Sequence, residues 1–122
     1  MIRRNTAMSG RRILLVEDEY FIADDMVRLF QERGAEVVGP FSRIEDALAA
    51  VSAADRLDAA VLDVNLHGTI VFPLADELTA RGIRFVFTTG YDHHVIPARF
   101  DHVVRCGKPI DPEAVIAALF DA

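Results

Sequence analysis

The sequence predicts an α/β fold: a doubly wound, five-stranded parallel sheet with helices on both faces. Three observations predict it. Unbroken apolar runs at 13–16, 59–62 and 85–87 are what strands covered on both sides produce. The segments between them carry apolar residues at helical spacing, so strands and helices alternate and the crossovers are right-handed. A length of 122 residues, 52% apolar and 26% charged, suits one domain with one core and is too evenly mixed for disorder.

Each element has its own justification. The first strand, 13–16, stops at Glu17-Asp18-Glu19. Ile22, Met26, Leu29, Phe30 and Arg33 then follow at helical spacing, and Gly34 is placed to end that helix in a left-handed turn. Residues 36–39 predict a second strand closed by Pro40. Ser42 and Glu45 match an S-x-x-E capping box ahead of the helix bearing Ile44, Ala47, Leu48 and Val51. The third strand, 59–62, also stops at an acid, Asp63. A loop through Asn65, His67 and Gly68 leads to a third helix with Pro73 in its first turn, Val71, Leu74, Ala75 and Leu78 on one face, and Gly82 beyond its end. The fourth strand, 85–87, runs into Thr88-Thr89-Gly90-Tyr91, and 92–99 reads as a short helix or irregular loop. Val103 and Val104 predict a brief fifth strand before Lys108-Pro109. Asp111 caps a last helix that has Pro112 at its first position and Val115, Ala118 and Leu119 facing inward.

Charge narrows the function. Thirteen basic against nineteen acidic residues give a net charge of −6, which opposes binding to a nucleic-acid backbone and favours cations or basic partners. Arg3, Arg4, Arg11 and Arg12 are concentrated at the start, so residues 1–11 are expected to form a flexible basic lead and 12–122 the folded domain. The lead lacks the apolar centre of a signal peptide, no apolar run approaches the roughly 20 residues of a membrane span, and Cys106 has no second cysteine to pair with. A cytoplasmic location without membrane or nucleic-acid partners is the expectation.

In open α/β sheets the ligand crevice lies at the carboxyl ends of the strands. There the first strand delivers Glu17 and Asp18, the third Asp63, the fourth Thr88 and Thr89, and the fifth Lys108. Two carboxylates ~4 Å apart repel by about 4 kcal/mol at an effective dielectric near 20, so three must protonate, pair with a base or bind a cation. Oxygen-only ligands on a shallow rim suit Mg²⁺, leaving Lys108 and a threonine hydroxyl for phosphoryl oxygens. Strand alternation points Thr88 away from the side that Thr89 occupies, which makes Thr89 the functional one. The helix dipole alone accounts for acids at 18 and 19, but not for Asp63 at the end of an apolar strand. His93, His94 and His102 lack metal-ligand spacing and read as exposed loop residues, and Cys106 as a small buried hydrophobe.

Taken in order, Glu17-Asp18, Asp63, Thr89-Gly90 and Lys108-Pro109 resemble the motifs of CheY-like response regulator receiver domains, over nearly everything from Arg12 to Phe120. The resemblance implies the flavodoxin-like strand order 2-1-3-4-5 and a phosphorelay function in which Asp63 accepts a phosphoryl group from a histidine kinase or phosphotransfer protein. It implies Mg²⁺ held by Asp18, Asp63, Glu17 and the Asn65 backbone carbonyl. Lys108 would meet one phosphoryl oxygen and Thr89 would swing onto another, with a cis bond between Lys108 and Pro109. A downstream protein partner would read the resulting surface change.

Three features depart from the family pattern. His67 stands where receivers commonly have proline, Arg105 where many carry a switching aromatic, and the span from Thr89 to Lys108 is short, implying a truncated fourth helix. The stretch Phe87-Thr88-Thr89-Gly90-Tyr91 is similar to the subgroup that works with HWE-type histidine kinases, mostly alphaproteobacterial, and assigns the switch to Thr89, Tyr91 and Arg105. A single-domain regulator, not a turnover enzyme, is expected. The alternatives are a receiver segment of a larger hybrid kinase or regulator, and a haloacid-dehalogenase-like phosphatase. The phosphatase would need a D-x-D after the first strand, where Asp18-Glu19-Tyr20 stands. A nucleotide- or flavin-binding module ranks last because no glycine-rich phosphate loop follows that strand.

Overall fold

The computed structural model describes residues 8–90 and 96–120. Its strands and helices run β1 (Arg12–Val16), α1 (Tyr20–Glu32), β2 (Glu36–Phe41), α2 (Ile44–Ala53), β3 (Ala59–Asp63), β4 (Asn65–Leu66), β5 (Thr69–Ile70), α3 (Phe72–Ala80), β6 (Arg84–Thr89), β7 (Arg105–Gly107) and α4 (Pro112–Phe120), with a 3₁₀ turn at Ala98–Phe100. Five strands form one parallel sheet in the order β2-β1-β3-β6-β7, the predicted doubly wound arrangement.

Successive residues of the central strands face opposite sides, so each strand feeds two cores. Leu14, Val16, Ala60, Leu62 and Phe87 pack with α2 and α3 on one face. Ile13, Leu15, Ala59, Val61 and Val86 pack with α1 and α4 on the other. Met8 lies in that second core, fully buried, and the Gly10 amide donates to the Gly34 carbonyl, so packing begins ahead of β1. Where the shortened fourth helix was expected, the described residues hold only the 3₁₀ turn. Its Phe100 closes the α3 face, stacked on Phe72 at 5.6 Å and edge-on to Phe87 at 5.5 Å. Arg99 secures the turn with paired hydrogen bonds of 2.8 and 3.0 Å to Asp76 on α3.

Several local expectations are corrected. Pro40 does not close β2, which continues to Phe41 as an edge strand, where a missing amide donor is tolerated. The register between β1 and β2 shifts at this point. Gly39, at φ +116, makes the shift sterically accessible, because a Cβ there would lie 2.6 Å from the Leu15 carbonyl oxygen. With β2 extended, α2 starts at Ile44 with Arg43 as its N-cap and no capping side chain. Ser42 is thus one residue too early for a capping box, and Glu45 pairs with Arg43 at 3.5 Å instead. The fifth strand is Arg105–Gly107 rather than the valine pair. Val104 is half exposed and only its carbonyl joins the ladder, accepting from the Phe87 amide, since an edge strand has little need of consecutive apolar residues. Residues 65–70, predicted as loop, form the small β4–β5 hairpin. The cap at Asp111 is present, its carboxylate accepting from the Glu113 amide at 3.1 Å.

Candidate functional site

The carboxyl ends of β1, β3, β6 and β7 converge on a cavity of about 910 Å³. Asp18, Glu19, Asp63, Asn65, Thr89 and Lys108 line it. Carboxylate oxygens of Glu17, Asp18 and Asp63 all lie within 4.8 Å of one another, the only grouping of acids, histidines or cysteines suited to a metal among the described residues.

The backbone explains how three acids meet. β1 and β3 are adjacent and in parallel register, with Val16 beside Leu62, so the residues that follow each strand emerge side by side. The Glu17 carboxylate bends over the start of α1 and accepts the amides of Asp18 at 3.0 Å and Glu19 at 3.2 Å through Oε2. Its Oε1 is buried without a hydrogen-bond partner, and Lys108 Nζ stands 3.4 Å away. Asp63 accepts the Asn65 amide at 3.1 Å. β7 brings in the base: Lys108 Nζ contacts Asp63 Oδ2 at 3.1 Å and Glu19 Oε2 at 3.2 Å, while its amide donates to the Thr89 carbonyl at 2.8 Å. The Lys108–Pro109 bond is cis, as the resemblance implies.

The electrostatics follow from this crowding. Burial, with the neighbouring Asp63 adding to it, pushes the Glu17 carboxyl up to about 8. Burial works against the Lys108 charge, but the carboxylates of Asp63 and Glu17 outweigh it and hold the ammonium above its ordinary pKa. Since the Glu17 pKa is raised on folding, the folded chain binds the extra proton. Its stabilising effect is complete below about 4.5 and is lost as pH rises through about 8. Urea unfolding in EDTA should therefore show stability falling from pH 6 to pH 8.5, with a slope of at most about 1.4 kcal/mol per pH unit from this group.

Among the residues singled out from sequence, Glu17, Asp18, Asp63, Asn65, Thr89 and Lys108 come together at this rim. Arg105 reaches the same cavity from β7 and pairs with Asp101 at 3.8 Å. Thr88 is fully buried, whereas Thr89 borders the cavity. Tyr91, like His93 and His94, lies outside the described residues, and His102 is exposed. Cys106 is only half-buried rather than enclosed, and burial pushes its thiol pKa up. Two contacts went beyond the sequence reading. Glu19 shares the Lys108 ammonium, and His67 places Nε2 3.3 Å from Asp18 Oδ2. The signal for Glu19 was its place in the acidic run, which the helix dipole already explained.

No protein-family model and no curated protein matches the chain. Solved structures do. SdrG from Sphingomonas melonis Fr1 is 34% identical, with 92% of this chain and 97% of that one covered and a TM-score of 0.77. The BeF3-activated conformation of SdrG from Pseudomonas melonis Fr1 is 37% identical over 91% of this chain and 94% of that one, with a TM-score of 0.72. The fold is shared with a CheY-like response regulator receiver domain protein from Methanospirillum hungatei JF-1, at 23% identity, 88% and 89% coverage and a TM-score of 0.74.

Proposed function

The chain belongs to the CheY-like receiver domains of response regulators, and from that membership we propose that it accepts one phosphoryl group on Asp63 and thereby switches a surface read by a protein partner. The observation carrying this reading is the 3.1 Å contact of Lys108 with Asp63 inside the three-carboxylate cluster. It sets a nucleophile, a fixed positive charge and a cation cradle at one point.

The donor set fits Mg²⁺. The three carboxylates offer only oxygens, and one of these, Glu17 Oε1, is buried without the hydrogen bond such an atom requires. Asp18, Asp63 and Glu17 would hold the ion together with the Asn65 backbone carbonyl. When bound, it supplies charge neutralisation for the incoming phosphoryl oxygens. The chain's own groups do the rest. An Asp63 carboxylate oxygen forms the new O–P bond as the P–N bond of a phosphohistidine breaks, and the departing imidazole keeps the electron pair and takes up a proton. Lys108 shifts part of its charge from Asp63 to a phosphoryl oxygen, and the Thr89 hydroxyl donates to another.

The switch consists of Thr89, Tyr91 and Arg105. The Arg105–Asp101 pair is long and exposed, hence readily exchanged. BeF3 mimics a phosphoryl group on a carboxylate, and the BeF3-activated form of the 37% identical neighbour supports the same chemistry here. The proposed donor is a histidine kinase, of the HWE type on the Thr-Gly-Tyr resemblance, or a phosphotransfer protein. A single-domain regulator in the cytoplasm is the proposed setting; among the described residues no helix is long and apolar enough to cross a membrane.

Incubation with acetyl phosphate and Mg²⁺, followed by intact mass spectrometry, tests the reading. The expected product is a single hydroxylamine-sensitive phosphoryl adduct per chain, absent in EDTA, with no sustained turnover of p-nitrophenyl phosphate. Continuous turnover of that ester would move the assignment to a phosphatase.

A further inference from the structure

The β4–β5 hairpin is joined by His67 and Gly68, both at positive φ, 47° and 85°. A two-residue hairpin turn with the twist of its strands demands such angles at both positions, and asparagine followed by glycine meets that demand best. A residue other than glycine is uncommon at such an angle, so its side chain is the place to look for a role. Asn65 holds the turn closed, its Oδ1 accepting the Gly68 amide at 2.7 Å. Thus braced, the turn carries the imidazole back over the rim of the acidic cavity, where Nε2 lies 3.3 Å from Asp18 Oδ2.

That spacing suits two ligands of one ion. With metal–ligand distances near 2.1 Å, adjacent corners of an octahedron are about 3.0 Å apart, a few tenths of an ångström from the separation seen. The acidic side of the site also contains the buried Glu17 Oε1, which accepts no hydrogen bond and has only the Lys108 ammonium 3.4 Å away. Most of the His67 side chain is exposed, whereas Asp18 is nearly covered, so the imidazole approaches from the solvent side, where a hydrated ion would otherwise keep water.

We infer that His67 is a nitrogen ligand to the cation held by Asp18, tuning the site toward Mn²⁺ and later divalent transition metals over Mg²⁺. The inference rests on the cation site of the proposed function. Its chemical basis is that Mg²⁺ favours oxygen and water, whereas imidazole raises affinity along the transition series.

The test uses Mn²⁺ itself as probe, at one fixed pH, with the wild type, His67→Ala, His67→Gln and Asp18→Asn. Pulsed electron paramagnetic resonance of the wild-type Mn²⁺ complex should show ¹⁴N modulation from a directly bound nitrogen. His67→Ala and His67→Gln should lose it while still binding Mn²⁺, and Asp18→Asn should lose it together with the site. The ratio of Mn²⁺ to Mg²⁺ affinity should fall about tenfold in His67→Ala. Mn²⁺ bound through oxygen alone, with an unchanged ratio, overturns the inference and leaves the cation site standing. Modulation persisting in both His67 variants overturns it by placing the nitrogen elsewhere. Failure of both ions to bind overturns the inference and the cation site together.

Discussion

Asp63→Asn should take up no phosphoryl group from acetyl phosphate under conditions that label the wild type, while staying folded. The amide oxygen is a poor nucleophile, so the O–P bond does not form. Folding is spared because the substitution is nearly isosteric and the amide oxygen can still accept the Asn65 amide. Lys108 keeps Glu17 and Glu19 as counterions. Removing one of three crowded carboxylates also relieves repulsion, and Asp63 is part of what raises Glu17. The variant should therefore show a Glu17 pKa nearer its ordinary value and a flatter decline of stability with pH in EDTA. Phosphate incorporation by intact mass, with urea unfolding at two pH values, checks both halves. Equal labelling of variant and wild type would remove Asp63 from the mechanism.

Phe100→Ala should destabilise the domain by about 3 to 5 kcal/mol, a large part of the roughly 5 to 15 kcal/mol that a domain possesses. Phe100 is almost wholly buried and lies within 6.2 Å of Phe85 and 5.5 Å of Phe87, measured between ring centres, with Phe72 stacked on it. It is carried by a 3₁₀ turn of three residues. The paired hydrogen bonds of Arg99 to Asp76 on α3 hold that turn in place, and that limits relaxation of the cavity. Denaturant unfolding followed by circular dichroism measures the loss; a change below 1 kcal/mol would mean that the neighbouring phenylalanines close the gap.

The readable parts of the fold were those where one physical demand dominates. β1 and β3 are enclosed by helices on both faces, so their sequences are continuous apolar runs, and the acids that interrupt them stand out. That contrast makes Asp18 and Asp63 visible in the sequence itself, with Lys108 beside its proline. β7 escaped because it lies at the sheet edge, where Arg105 and Gly107 serve as well as valine. The β4–β5 hairpin escaped because its strands have two residues each and its turn is His-Gly rather than Asn-Gly. The capping box failed by one residue, since the length of β2 shifts the helix start and no local pattern encodes it. His67 stands out in the sequence as a histidine where receivers commonly have proline, but its contact with Asp18 depends on the left-handed backbone at that turn.

The two margins of the sheet share a property with a consequence for assembly. On one side Pro40 withholds an amide and Gly39 throws the ladder out of step; on the other, β7 offers only three residues, led by a charged Arg105. Neither margin is a template on which a further chain could continue the hydrogen-bonded array. If the chain is phosphorylated as proposed, recognition by a kinase or a downstream protein would be written in side chains, which a phosphoryl group can rearrange, rather than in backbone pairing, which it cannot.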